Sequence, residues 1–306
     1  MKSYTRSFTI GLIAILSILL SAQGSLLVHE GFDYGGVDTA MGGLATNATG
    51  LTGNYTASNT PSDASANYRT AGGLSFGSSF FATTGGSVNQ RMRSSGVSYV
   101  GATLSTSAVS GDLWGSYLFN FEEINSINTT GQVRLNTTAT GVSGSSWFNV
   151  APDLSNSGQH PQISYDGSNY SNQSGFEYVE GTTYLLVSKF TNVGASLSGG
   201  SPGVASLWIF AQDSYEDWVA GGGSEAQLAT EADGVASISL TTGSYEFSDY
   251  LQYAGYSTAS TTSSYFMDEI RYGTTLGDVV AIPEPTSFLL MFSGFSLLAW
   301  ALRRRA

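Results

Sequence analysis

No cysteine occurs in this chain of 306 residues. That excludes a disulfide framework, a thiol nucleophile and a Cys-ligated zinc. Charge is scarce as well: 11% of residues carry it, less than half the usual share. Cations are scarcest of all. Residues 25–282 hold Arg69, Arg91, Arg93, Arg134, Lys189 and Arg271 against 22 acids, a balance of −16. With no basic patch, nucleic acid is not an expected partner. The two histidines, His29 and His160, stand far apart, so a His-ligated metal site is not expected. Beyond residue 25 no sustained 3.6-residue apolar period appears, which argues against long amphipathic helices.

What is present suits strands. There are 38 glycines, with abundant Ser, Thr and Asn, while 41% of residues are hydrophobic and 12% aromatic. That composition supports a sizeable core divided by many turns. Strand signals fall at 113–121, 132–137, 147–151, 183–190, 205–211, 236–241 and 264–273. Residues 184–190 are nearly all apolar, as expected of a central strand covered on both faces. Residues 213–232 are the one short helix or long loop. The segments 39–66 and 74–88 read as long loops and weak edge strands. The expected fold class is all-β: two packed antiparallel sheets, flanked by an N-terminal signal helix and a C-terminal transmembrane helix.

Both ends depart from the body. At the N-terminus, Lys2 and Arg6 precede an apolar run of 13 residues at 8–20, followed by SAQGS. These are the three regions of a secretory signal read by the translocon, with cleavage expected between Gly24 and Ser25. At the C-terminus, residues 288–302 form an uncharged apolar run of 15, bounded by Arg303, Arg304 and Arg305. Positive charge beside a span stays cytoplasmic, so these arginines stop transfer with the body outside. A 15-residue helix covers about 22 Å, short of a hydrocarbon core of about 30 Å. That suits a temporary tether. Before it, Pro283, Glu284 and Pro285 hold the backbone extended, a form that a processing enzyme can grip.

Pro-Glu-Pro, apolar span and basic end, in that order at the terminus, resemble the PEP-CTERM sorting signal. The resemblance implies recognition by an exosortase, removal of the span and release to the cell surface or extracellular matrix. The stretches SLLVHEGFDYGG (25–36), TTYLLVSKF, SLWIF and MDEIRYGTTLGDV (267–279) are similar to laminin-G-like, concanavalin-like jelly-roll domains of exported bacterial proteins. That implies a jelly roll over 25–280, between a signal peptide at 1–24 and a sorting signal at 281–306, with Asp268, Glu269, Ile270 and Arg271 on the strand that closes the sandwich.

Reactive chemistry is mostly missing. Two G-x-S-x-G matches, with Ser75 and Ser201, lack the strand-then-helix setting of a nucleophile elbow. Retaining glycoside hydrolysis needs two carboxyls about 5 Å apart. Glu122–Glu123 and Glu216–Asp217 are sequence neighbours that a strand would point to opposite faces. Asp268 and Glu269 are weak candidates for a structural Ca2+, although a turn bond for Asp268 and a cross-strand pair for Arg271 account for them without metal. Among Trp114, Trp147, Trp208 and Trp218, the last lies in the most loop-like segment and is the candidate for an exposed sugar-stacking surface. No catalytic residue and no cofactor are expected. The leading expectation is a non-enzymatic envelope or matrix protein. A carbohydrate-binding module with envelope polysaccharide as partner is the alternative, and a glycoside hydrolase a weaker third.

Overall fold

The computed structural model describes residues 24–280, except 37, 61–67, 77–82, 84, 93–95, 106–108, 124–128, 137–145, 156–157, 167–169, 173–174, 248 and 258–262. The signal segment and the sorting tail lie outside the described residues.

Among the described residues, fifteen strands form two antiparallel sheets. In the first, the path runs β13 (Gly234–Leu240), β12 (Gly203–Phe210), β11 (Thr183–Val193), β6 (Gly111–Glu123), β15 (Ser263–Gly273), β4 (Gly86–Met92) and β3 (Tyr68–Gly72). A short β1 (Leu26–Glu30) continues the line of β4 along the same edge of β15, beside residues 270–273. The second sheet runs β10 (Tyr170–Asn172), β9 (Gly158–Ser164), β8 (Ser146–Ser155), β7 (Thr129–Asn136), β14 (Tyr250–Ser257), β5 (Gly96–Leu104) and β2 (Leu51–Thr60). This is the expected all-β, two-sheet jelly-roll class. All seven strand signals coincide with strands, and the weak segment at 39–66 supplies β2 at a sheet edge.

The inner faces enclose the main core. From β6, Leu113, Tyr117, Phe119 and Phe121 point inward, meeting Val133 and Leu135 of β7 and Leu251 and Tyr253 of β14. The outer face of the first sheet is covered too. There Trp114, Leu118, Leu185, Val187, Trp208 and Phe210 pack beneath α1 (Gln212–Ala220), α2 (Leu228–Glu231) and α3 (Leu276–Val279). Hence β11 is apolar on both sides: Leu186 and Phe190 belong to the inner core, Leu185 and Val187 to the outer one. Burial on two faces removes the polar alternation that a half-exposed strand shows.

Strand β15 departs from the simple alternation expected of it. That alternation puts Phe266, Asp268, Ile270 and Tyr272 on one face. Instead Tyr265 and Met267 face the inner core, as do Ile270 and Tyr272, and Phe266 is only half-buried. The cause is a bulge. Between Asp268 and Arg271 the strand uses one more residue than β6 does between Leu118 and Ser116. The extra residue falls at Glu269, whose φ is +51°. One inserted residue exchanges the faces of everything after it.

Candidate functional site

The first and last strands of the sandwich meet at a seam of buried acids. Register pairs His29 with Arg271 and Glu30 with Ile270. Alternation along β1 then sends Val28 and Glu30 toward the core and His29 to the other face. Glu30, Asp268 and Glu269 are all 0% exposed. Carboxylates are almost never so buried without partners, and each has them.

Glu30 sits among tyrosines: Tyr34 from the turn after β1, and Tyr55 and Tyr253 from the opposite sheet. It accepts hydrogen bonds from the Phe32 amide at 2.6 Å, from the Tyr34 hydroxyl at 2.6 Å and from the Tyr55 hydroxyl. Phe32 adopts φ +52°, which turns the chain back so that its amide reaches Glu30. Burial pushes the Glu30 carboxyl above its ordinary range, and the tyrosine hydrogen bonds pull the other way. Burial also raises Tyr55 and Tyr253 well above the ordinary phenol value, so both stay protonated and able to donate.

Asp268 and Glu269 lie across the strand from this cluster. Asp268 accepts from the Leu74 amide at 2.8 Å and the Glu269 amide at 2.7 Å. Glu269 Oε2 is held at 2.8 Å by both His29 Nε2 and an Arg271 guanidinium nitrogen. Glu269 and Arg271 pair with each other on one strand; the cross-strand acid expected for Arg271 is therefore replaced by its own neighbour, two residues back. Protein donors hold both Asp268 oxygens and Glu269 Oε2. No group of three or more His, Asp or Glu suited to a metal ion occurs among the described residues.

Asp268 is pushed up to about 8, first by burial, then by the neighbouring charges of Glu269 and Glu30 against the two amide bonds. A folded-state value above the unfolded one means that the folded chain holds the proton longer. Its contribution is fully present below pH 4 and lost as pH rises toward about 8, with a slope of at most about 1.4 kcal/mol per pH unit for one proton. Glu30 acts in the same direction. Urea unfolding at pH 5 and pH 7.5 should therefore show lower stability at the higher pH, and Asp268→Asn should flatten that difference. An equal pH dependence in both proteins would refute the assignment.

Beside the seam lies a cleft of about 430 Å³, lined by Phe32, Asp33, Gly35, Gly36, Ala71, Gly72, Gly85 and Gly86. It forms where the turn after β1 faces the ends of β3 and β4. Gly85 adopts φ +81°, and a Cβ there would collide with the Gly31 carbonyl. Only glycine permits this approach of two backbones. Exposed Asp33 places the one charged side chain on the cleft wall. Of the seam acids, Asp268 and Glu269 were legible in DEIR and Glu30 was not; nor was the cleft, because glycine runs carry no pattern that says which backbones meet.

The remaining candidates are placed as follows. Trp218 is 0% exposed, which corrects its reading as a sugar-stacking residue. It lies on α1, against Phe210 at 5.5 Å between ring centroids, and donates from Nε1 to the Ser224 carbonyl at 3.0 Å. Trp114 and Trp208 stack at 6.0 Å with Lys189 over Trp114, and both are buried. Glu216 and Asp217 are on α1 rather than a strand. Ser201 is followed by strand β12 instead of a helix. His160 is on β9, its Nδ1 2.9 Å from the Phe176 carbonyl. Gly24 and Ser25 lie beside α3. Pro283, Glu284, Pro285 and Arg303–Arg305 are outside the described residues. Among the described residues no helix is long and apolar enough to cross a membrane.

Residues 281–305 match the PEP-CTERM protein-sorting motif. No curated protein matches the sequence. Solved structures with a similar strand arrangement are lectin-like jelly rolls. The exoplasmic/lumenal domain of VIP36 matches with a TM-score of 0.39 and 8% identity, over 64% of this chain and 81% of that one. The carbohydrate recognition domain of Emp47p matches at 0.41 and 6%, over 80% and 100%. Lectin II from Ulex europaeus matches at 0.37 and 8%, over 64% and 89%. These scores are too low to transfer a binding site.

Proposed function

We propose that this chain is an exported, non-enzymatic protein of the cell envelope or extracellular matrix, delivered by an exosortase that reads its C-terminal tail. The sorting motif at 281–305 carries this reading. Support comes from the residues just before the motif, which are packed into the body. Val279 and Val280 are buried at 0% and 1%, and Ser116 donates its hydroxyl to the Val279 carbonyl. In this reading residues 1–24 are a signal peptide handled by the translocon, 25–280 the working sandwich and 281–306 the address. The tail tethers the body to the inner membrane until processing. The acid seam supports a non-enzymatic role, because its three carboxyls are sealed from solvent rather than presented as an open pair.

An epitope placed after Ala306 tests the reading in cells with a working exosortase. The epitope should separate from the body, and the body should leave the membrane fraction. Glu284→Ala should leave export intact and impair this separation. An epitope that stays joined to the body would mean a plain anchor.

The glycine-lined cleft favours a second reading, a carbohydrate-binding module. Backbone polar groups and the Asp33 carboxylate could together hold sugar hydroxyls. A glycan array of the exported protein should then show saccharide binding that Asp33→Ala weakens about tenfold, the effect of losing one charged hydrogen bond of roughly 1.4 kcal/mol. An array with no signal removes this reading and leaves sorting untouched.

A further inference from the structure

The two ends of the sandwich are joined at one corner. The backbone nitrogen of Ser25 donates to Thr274 Oγ1 at 2.9 Å, and the Thr274 amide returns a bond to the Ser25 carbonyl at 3.2 Å. Thr274 and Thr275 lead into α3, and Asp278 caps that turn. Its Oδ2 accepts from the Thr274 amide at 3.0 Å, the Thr275 amide at 2.8 Å and the Thr275 hydroxyl at 2.9 Å. The Thr274 hydroxyl lies 3.5 Å from the same oxygen, so a short polar relay runs from the Ser25 nitrogen to the carboxylate. Gly24 presses directly on this carboxylate: a Cβ there would collide with both Asp278 oxygens and with Thr275 Oγ1. While the Gly24–Ser25 peptide is intact, the corner holds an anion and no cation.

We propose that Asp278 and Thr274 form a receptor for the α-ammonium created at Ser25 by signal-peptide removal, so that cleavage at one end fastens the turn from which the sorting tail departs. The proposal rests on the cleavage reading given above. Hydrolysis adds water across the Gly24–Ser25 bond; the oxygen goes to the Gly24 carboxylate, which leaves with the signal peptide, and the protons go to the Ser25 nitrogen. The new ammonium keeps the Thr274 bond and gains two donors. The space that Gly24 vacates lies against both Asp278 oxygens. A charge-assisted bond across a partly buried corner is stronger than the neutral amide bond it replaces. The consequence is an order of events: α3, and with it residue 280, is held most firmly only after the N-terminal cut.

The full chain recovered after export is labelled at pH 7.5 with a limiting amount of acetic anhydride, folded and in urea, and the N-terminal peptide is weighed and its acetylation measured. In the folded protein the Ser25 α-amine should react about five- to tenfold more slowly than in urea, as a rise of up to one unit in its pKa requires. Asp278→Asn, which keeps the size of the side chain, should reduce that protection to about twofold or less. Thr274→Val should weaken it without removing the carboxylate, and gives the answer if Asp278→Asn does not fold. Equal rates in folded and unfolded protein, or protection that survives in folded Asp278→Asn, would overturn the lock while leaving the cleavage site standing. An N-terminal peptide starting at any residue other than Ser25 would overturn both.

Discussion

Trp218→Ala is expected to destabilise the folded chain by about 3–5 kcal/mol, the range for removing a large buried aromatic. For a domain of this size that lowers the melting temperature by roughly 6–20 °C. The argument is burial. Trp218 is 0% exposed, its ring lies 5.8 Å from that of Tyr215, and its indole nitrogen bonds the Ser224 carbonyl. The cavity would open in the outer cluster, against Phe210 and Tyr215. Trp218→Phe should recover about half of the loss, since it keeps the ring contacts but not the hydrogen bond. Calorimetry of the exported protein measures both. A melting temperature unchanged by Trp218→Ala would place the indole at the surface and return it to the list of ligand-binding residues.

Arg271→Leu is the second large effect. Glu269 has no exposed surface, and its Oε2 is shared between Arg271 and His29. Removing the guanidinium leaves a buried carboxylate with one weaker partner, a situation that costs about 3–5 kcal/mol. The pair itself is a poor source of net stability, because burying two charges consumes most of their attraction. The double variant Glu269→Gln with Arg271→Leu should therefore be more stable than Arg271→Leu alone, by about 2 kcal/mol. Urea unfolding of the four proteins closes the cycle. A loss under about 1 kcal/mol for the single variant is what a solvent-screened surface bridge would give, and would contradict the sealed seam.

The bulge explains why this site was only half legible. The residues His29, Asp268, Glu269 and Arg271 could be picked out of the sequence as polar residues set in apolar strands. Strict alternation then assigns Glu269 and Arg271 to one face and Asp268 and Ile270 to the other. Nothing in the residue types MDEIRYG announces an extra residue, because Glu at φ +51° is an uncommon choice that only the pairing with β6 on one side and β1 on the other enforces. The same limit applied to Trp218. Its neighbours SYED and AGGG read as loop, and nothing in them says that the helix they form lays Trp218 against Phe210 of β12 on the outer face of the sheet.

By itself, the sequence determined the C-terminal sorting motif and the class of fold. Sorting signals act on an extended or membrane-inserted segment, so their order and spacing are their function, and the motif at 281–305 is complete as written. The all-β class follows from short apolar runs among glycine and serine, and β11 was visible because burial on two faces is a composition rather than a contact. Tertiary structure alone decided where the acids sit, which tryptophans are covered and which backbones frame the cleft. It also decided that Ser25 and Asp278 meet. The seam and the Ser25–Asp278 corner depend on β1 and the end of the body meeting across more than two hundred residues, and register over such distances is set by the packing of both faces at once, which no local stretch encodes.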